Sequence, residues 1–119
     1  MKKGSVKERR TIKGERIETE AVKGVLKQVL IGREDGAENY IMRLLTVSPG
    51  GHSPRHQHPW EHEVFILNGE GKCLLDNEWH ELSKGNAVFV PRGVLHQFVN
   101  SSKNEDFEFI CVIPNVEEN

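Results

Sequence analysis

The stretch Gly50-Gly51-His52-Ser53-Pro54-Arg55-His56-Gln57-His58-Pro59-Trp60-Glu61-His62-Glu63 carries four of the six histidines in the chain. Three of them matter most: His56, His58 and His62. In an extended segment, residues two apart point the same way, so His56 and His58 present their imidazoles side by side. Pro59 then bends the chain, and His62 begins the next strand, where it closes a third corner. A second stretch, Gly85-x5-Pro91-x-Gly93-x2-His96-x3-Asn100, supplies a fourth imidazole from a neighbouring strand. Imidazole is the commonest protein ligand for a metal ion. A cluster of buried imidazoles with nothing to bind would be costly. The pattern therefore points to a metal cage made by His56, His58, His62 and His96. Gly50, Gly69, Gly85 and Gly93 read as framework positions, and Pro91 fixes the turn that leads to His96. His52 sits at the entrance of the loop and is not read as a ligand. His80 is expected at the surface, beside Glu78 and Glu81 on a hairpin.

The segments around these stretches read as short strands. Residues 1–20 are charged and poorly patterned and are expected to form a partly ordered arm, with one short strand near Arg16–Glu20. Residues 21–119 are expected to form a single domain. Strands are predicted over Val22–Ile31 and Tyr40–Val47, with a turn at Glu34-Asp35-Gly36 between them. Ser48-Pro49-Gly50-Gly51 is expected to break the second strand. His62–Asn68 alternates, with His62, Val64 and Ile66 on one face and Glu63, Phe65 and Leu67 on the other. Gly69-Glu70-Gly71 is predicted to turn the chain. A hairpin follows, Lys72–Leu75 and Glu78–Leu82 around Asp76-Asn77. Ala87–Val90, Leu95–Val99 and Phe107–Ile113 complete the set, with Pro114 as the stop. No segment has a long helical period. Many short strands with frequent turns imply an all-β sandwich or barrel.

The two histidine stretches, Gly50-x5-His56-x-His58-x3-His62-x6-Gly69 and the one ending at Asn100, resemble the two motifs of the cupin superfamily. Together they cover a little under half of the chain. The resemblance implies a double-stranded β-helix, the jelly-roll or cupin barrel. One position departs from the usual pattern: most metal-binding cupins have a glutamate as third ligand of the first motif, and here it is His62. The chain is similar to small single-domain cupins with an all-histidine site, some of which bind manganese. That likeness puts manganese first among divalent transition metals. Ligand type by itself favours Fe, Zn, Ni or Cu, because carboxylate and water suit manganese better than imidazole does. The resemblance also implies a homodimer, and the outward-facing Phe65 and Leu67 would need cover.

Composition limits the alternatives. A chain of 119 residues is one domain by length. With 16 basic and 18 acidic residues it lacks the basic footprint of a nucleic-acid binder. No run approaches the ~18 apolar residues that read as a membrane span. Met1–Arg10 has basic residues but no apolar run, so it is not a secretory signal. A soluble cytoplasmic protein with no nucleic-acid or membrane partner is the expectation. The two cysteines, Cys73 and Cys111, should then be free thiols.

Four neutral imidazoles leave the full charge of a divalent ion uncompensated. The ion would be a strong Lewis acid and would favour an anionic extra ligand. In an octahedral ion up to two positions would stay open, the mark of a catalytic rather than a closed site. Glu61 and Glu63 are either hydrogen-bond acceptors for a ligand's far N–H or solvated carboxylates. Cys111 shares the apolar face of the last strand with Phe107, Phe109 and Ile113. It is either a small core residue or a thiol close to the ion. Arg43 either anchors an anionic substrate in the barrel or points to solvent. Trp60 and Trp79 read as packing or dimer-contact residues. These features suggest a metal-dependent oxidoreductase, using dioxygen or peroxide on a small organic molecule. The alternatives are a non-catalytic metal or small-ligand binder, or a metal-dependent isomerase or epimerase. Metal binding is expected to fade as the pH falls through about 6, the ordinary imidazole range.

Overall fold

The computed structural model describes residues 3–116. Among them are nine strands: β1 (Glu15–Ile17), β2 (Lys23–Ile31), β3 (Tyr40–His52), β4 (His62–Asn68), β5 (Glu70–Leu75), β6 (Glu78–Ser83), β7 (Ala87–Val90), β8 (His96–Asn100) and β9 (Phe107–Pro114). They form one curled sheet in the order β6-β5-β8-β3-β9-β4-β7, with β2 also on β3 and β1 on β2. Every ladder is antiparallel. The fold is a jelly roll, as the strand pattern and the family resemblance imply. Among the described residues no helix is long and apolar enough to cross a membrane.

Alternation builds the core. In β9 Phe107, Phe109, Cys111 and Ile113 are buried, and the residues between them are only half-buried. In β4 His62, Val64 and Ile66 point inward while Glu63 and Phe65 are exposed. Such inward-and-outward alternation is what a sheet with one wet face requires. Phe107, Ile66, Val47 and Ile113 are almost fully enclosed. Each contributes roughly 1.5–3 kcal/mol of burial energy.

Three local expectations change. Ser48-Pro49-Gly50-Gly51 does not end its strand, because β3 continues to His52. Gly50 takes a φ of 76°, and the β2–β3 register is irregular between Lys23 and Val25. The irregularity bends the strand, so β3 leaves β9 and meets β8 at His52 opposite Val99. The predicted three-residue turn shrinks to Gly69, since Glu70 and Gly71 already pair with Ser83 and Leu82. Gly69 has a φ of 82°, and a β-carbon there would collide with the backbone carbonyl of Asp106. Finally, Pro114 does end the last strand, but as its final residue, paired with Tyr40, rather than as the residue after it.

The N-terminal segment takes part in the fold. Its strand lies at Glu15–Ile17, slightly ahead of Arg16–Glu20, and pairs with β2. Nε2 of Gln28 donates to the carbonyls of Arg9 and Ile12, and Arg9 forms an ion pair with Glu108. Asn100, the last residue of the second histidine stretch, is buried. Its Nδ2 donates to the carbonyl oxygens of Val47 at 2.9 Å and Glu105 at 2.8 Å. Its Oδ1 accepts from the backbone of Ser102, so this one amide fixes where β8 ends.

Candidate metal centre

The curled sheet encloses a cavity of about 200 Å³. Its walls are mostly apolar, including Val25, Leu45, Val47, Phe98 and Phe109. His56, His58, His62 and His96 all reach it, together with Arg43 and Cys111. The backbone brings the two histidine stretches together. The N–H of His56 donates to the carbonyl of His96 at 3.1 Å, and the N–H of His96 donates back to the carbonyl of His56 at 2.9 Å. Gly93 donates to the carbonyl of His58 at 2.7 Å, which ties the Pro91–Gly93 turn to the first stretch. Ser53 adds two more links, one through its N–H to the carbonyl of Phe98 and one through Oγ, which accepts from the N–H of Phe98.

The imidazoles converge as a result. Ring centroids lie 4.1 Å apart for His56 and His58, and 4.7 Å apart for His56 and His96. One ring nitrogen from each of His56, His58 and His96 lies within 4.8 Å of the other two, close enough to share a metal ion. His62 stands beside this group, its ring 5.0 Å from His96 and 5.1 Å from His58. Gln57, between the paired imidazoles, is exposed.

The far nitrogens orient two of the rings. Nδ1 of His96 lies 2.9 Å from the carbonyl of Val94, so it carries the proton and leaves Nε2 open. Nδ1 of His62 lies 3.1 Å from Sγ of Cys111. Nε2 of His62 is buried and has no hydrogen-bond partner. A buried nitrogen of that kind is expensive unless something binds it. That orphaned atom, the neutral imidazole set and the convergence of three ring nitrogens all fit a divalent transition metal.

Burial favours the neutral form of three of these imidazoles, His56, His62 and His96. His56 is held at about 4, first by burial and then by repulsion from His58, His96 and Arg43. His62 is held at about 3, again by burial first, then by His96 and Arg43. Burial also lowers His96. Proton competition for the ligands is therefore displaced below the ordinary imidazole range near pH 6.

The remaining candidates fall on both sides of the wall. Arg43 points inward: it is buried, and Nη2 donates to Sγ of Cys111 at 2.9 Å. Cys111 is a buried free thiol that touches both Arg43 and His62. Cys73 is also free and buried, and burial pushes its thiol up to about 11. Glu61 and Glu63 are exposed and do not line the cavity. His80 is exposed, 4.0 Å from Glu78. His52 turns Nδ1 to the carbonyl of Ser53 and stays out of the cavity lining. Trp60 packs inward rather than outward, stacked on His58 with an interplanar angle of 4°. Trp79 is partly exposed beneath Arg55 and Lys72. Lys27, Ser53 and Ile17 line the cavity and were not singled out in the sequence. For Lys27 the signal was faint, because the alternation of β2 is imperfect.

A curled jelly roll with imidazoles converging inside it defines a class, the small β-barrel proteins with an internal histidine cluster that could hold a metal ion. The chain belongs to the cupin domain family, whose match covers residues 43–113. It is 31% identical over 97 residues to (S)-ureidoglycine aminohydrolase from Escherichia coli K12, covering 81% of this chain and 37% of that enzyme. Among solved structures it superposes on the polyketide cyclase RemF from Streptomyces resistomycificus with a TM-score of 0.88 and 31% identity. That superposition covers 97% of this chain and 82% of the cyclase. A predicted oxalate decarboxylase from Thermotoga maritima superposes with a TM-score of 0.82 and 28% identity, covering 94% of this chain and all of the other. The chain thus spans little more than a third of the aminohydrolase, most of the cyclase chain and all of the predicted decarboxylase chain.

Proposed function

We propose that this cupin is a metal-dependent enzyme acting on a small organic molecule held in the barrel. His56, His58, His62 and His96 hold the ion. The resemblance to all-histidine cupins favours manganese. The observation that carries the proposal is the orphaned Nε2 of His62 beside the three converging imidazoles. When bound, the ion supplies Lewis acidity to a substrate oxygen. The chain's own residues do the rest. Val94 and Cys111 fix the rings of His96 and His62. The apolar walls exclude water and hold the body of the substrate. Arg43 and Lys27 place positive charge along one wall.

Polarisation of a substrate oxygen is favoured over dioxygen or peroxide chemistry for a local reason. Cys111 touches a ligand imidazole, and a thiol there would be the first group oxidised. The aminohydrolase and cyclase relatives support the same preference. An oxidoreductase is the second reading: four imidazoles with no carboxylate among them would leave a divalent ion receptive to an anionic oxidant. Two buried free thiols suit a reducing cytosol. The exposed Phe65 and Phe89 on adjacent strands support pairing of two copies.

Elemental analysis of protein purified without added metal tests the centre. About one divalent ion per chain is expected, lost in His96→Ala. Metal-free protein that takes up no ion on dialysis against manganese, zinc or nickel would overturn it. Steady peroxide consumption that leaves Cys111 reduced would favour the oxidoreductase.

A further inference from the structure

The cavity has a charge pattern opposite to that of the whole chain. The protein carries a net charge of −2, yet among the described residues that line the cavity none is acidic. Two are cationic, Lys27 and Arg43. They lie on neighbouring strands of one wall. Lys27 pairs with Leu45, and Arg43 is two residues from Leu45 along β3, so the two cations are diagonal neighbours on the same face. Arg43 is only 8% exposed. Arg43 lies next to the imidazoles: its Nη2 is 2.9 Å from Sγ of Cys111, which is itself 3.1 Å from Nδ1 of His62. A divalent ion at the imidazoles would add to this positive interior.

We infer that the cavity selects an anionic substrate, a monocarboxylate with a compact apolar body, and that Arg43 with Lys27 sets this specificity. The inference rests on the reading of the cavity as the reaction chamber. Size supports it: an apolar cavity of about 150 Å³ holds one benzene ring, and this one measures about 200 Å³. That leaves room for a ring and one carboxylate. The wall supports it too, with Leu45, Phe98 and Phe109 facing the body of the ligand. A planar guanidinium accepts a carboxylate through two parallel N–H donors, a geometry an ammonium cannot copy. Nε of Arg43 is buried with no hydrogen-bond partner, a donor that a carboxylate would satisfy. Here Arg43 is a specificity-determining residue, and the metal is not required for the preference.

Calorimetric titration with benzoate and with its neutral isostere benzamide tests the inference, on the protein as purified and again after chelation. Benzoate should bind at least tenfold more tightly than benzamide in both states. In Arg43→Gln the ratio should fall to near one, and in Arg43→Lys it should fall part of the way. Lys27→Gln, at a half-buried position, should weaken benzoate several-fold and leave benzamide unchanged, with the fold checked by circular dichroism. Equal binding of the two ligands would overturn the inference, as would no benzoate binding at tens of millimolar. So would an undiminished benzoate preference in Arg43→Gln, or no effect of Lys27→Gln. A preference that vanishes on chelation would assign the carboxylate to the metal and also overturn it. Protein that holds no metal but keeps the preference would sink the metal centre and leave this inference standing.

Discussion

With no metal ion bound, this protein should be acid-sensitive well above the carboxylate range. The cause is the pair His56 and His62, held by burial at about 4 and about 3. In the unfolded chain both return to about 6.5. A group whose folded value is depressed gives its full stability above the unfolded value. That stability is lost as the pH falls from 6.5 towards the folded values, because the unfolded chain takes up protons that the folded chain refuses. At pH 5 the unfolded imidazole gains about 2 kcal/mol from its proton, and the folded one gains almost nothing. The two together should cost about 3 kcal/mol relative to neutral pH, with His56 counting for less because it is only half-buried, still a large share of a typical 5–15 kcal/mol. His96, also lowered, adds in the same direction. Asp35 does not interfere: Lys7 and the backbone of Gly32 hold it below its ordinary 3.8, so its effect lies at lower pH. Urea unfolding of chelated protein, followed by circular dichroism between about pH 7.5 and pH 5, measures the loss. Replacing His62 by Gln should flatten the slope by about half. A chelated wild-type protein whose unfolding free energy stays within about 1 kcal/mol over this range would refute the reasoning.

Other outcomes follow from single contacts. Asn100→Ala leaves the carbonyls of Val47 and Glu105 without their donor and should lower stability by about 1–3 kcal/mol, read as a fall in thermal midpoint. Cys111→Ala removes the atom that orients His62 and should weaken metal binding about 10–100-fold in a competition titration, with the fold intact by circular dichroism. His52→Ala should leave metal content unchanged, because its ring faces the carbonyl of Ser53. If two copies pair through the exposed strands, Phe65→Lys with Phe89→Lys should give a monomer by sedimentation, and an unchanged sedimentation coefficient would count against that face.

Much of the fold was legible because alternation is a local property. β4 and β9 read correctly residue by residue, since every second side chain is buried in each. The hairpin at Asp76-Asn77 was visible for a similar reason, and Asp76 takes the positive φ of 59° that such a turn needs. The run Ser48–Gly51 misled because residues that break a strand also permit one to bend. Only the partner at Val99 decides between the two, and that partner is distant in sequence. Within the site, the histidine spacings announced themselves. The inward turn of Arg43 did not, because parity along β3 has no reference until β2 and β9 are laid beside it. Lys27 was silent for the same reason. From the sequence Cys111 is either a core residue or a thiol near the ion, and only the pairing of β4 with β9, which sets Cys111 opposite Val64, brings it to His62.

The reciprocal amide bonds between His56 and His96 bear on how the protein would acquire an ion. Those bonds rivet the two histidine segments whether or not anything lies between the rings. A coordination pocket here would thus be built by the polypeptide rather than templated by its occupant. A finished barrel would then take up and release an ion without refolding. Which element came to reside there would be decided by whatever the surroundings offered after synthesis.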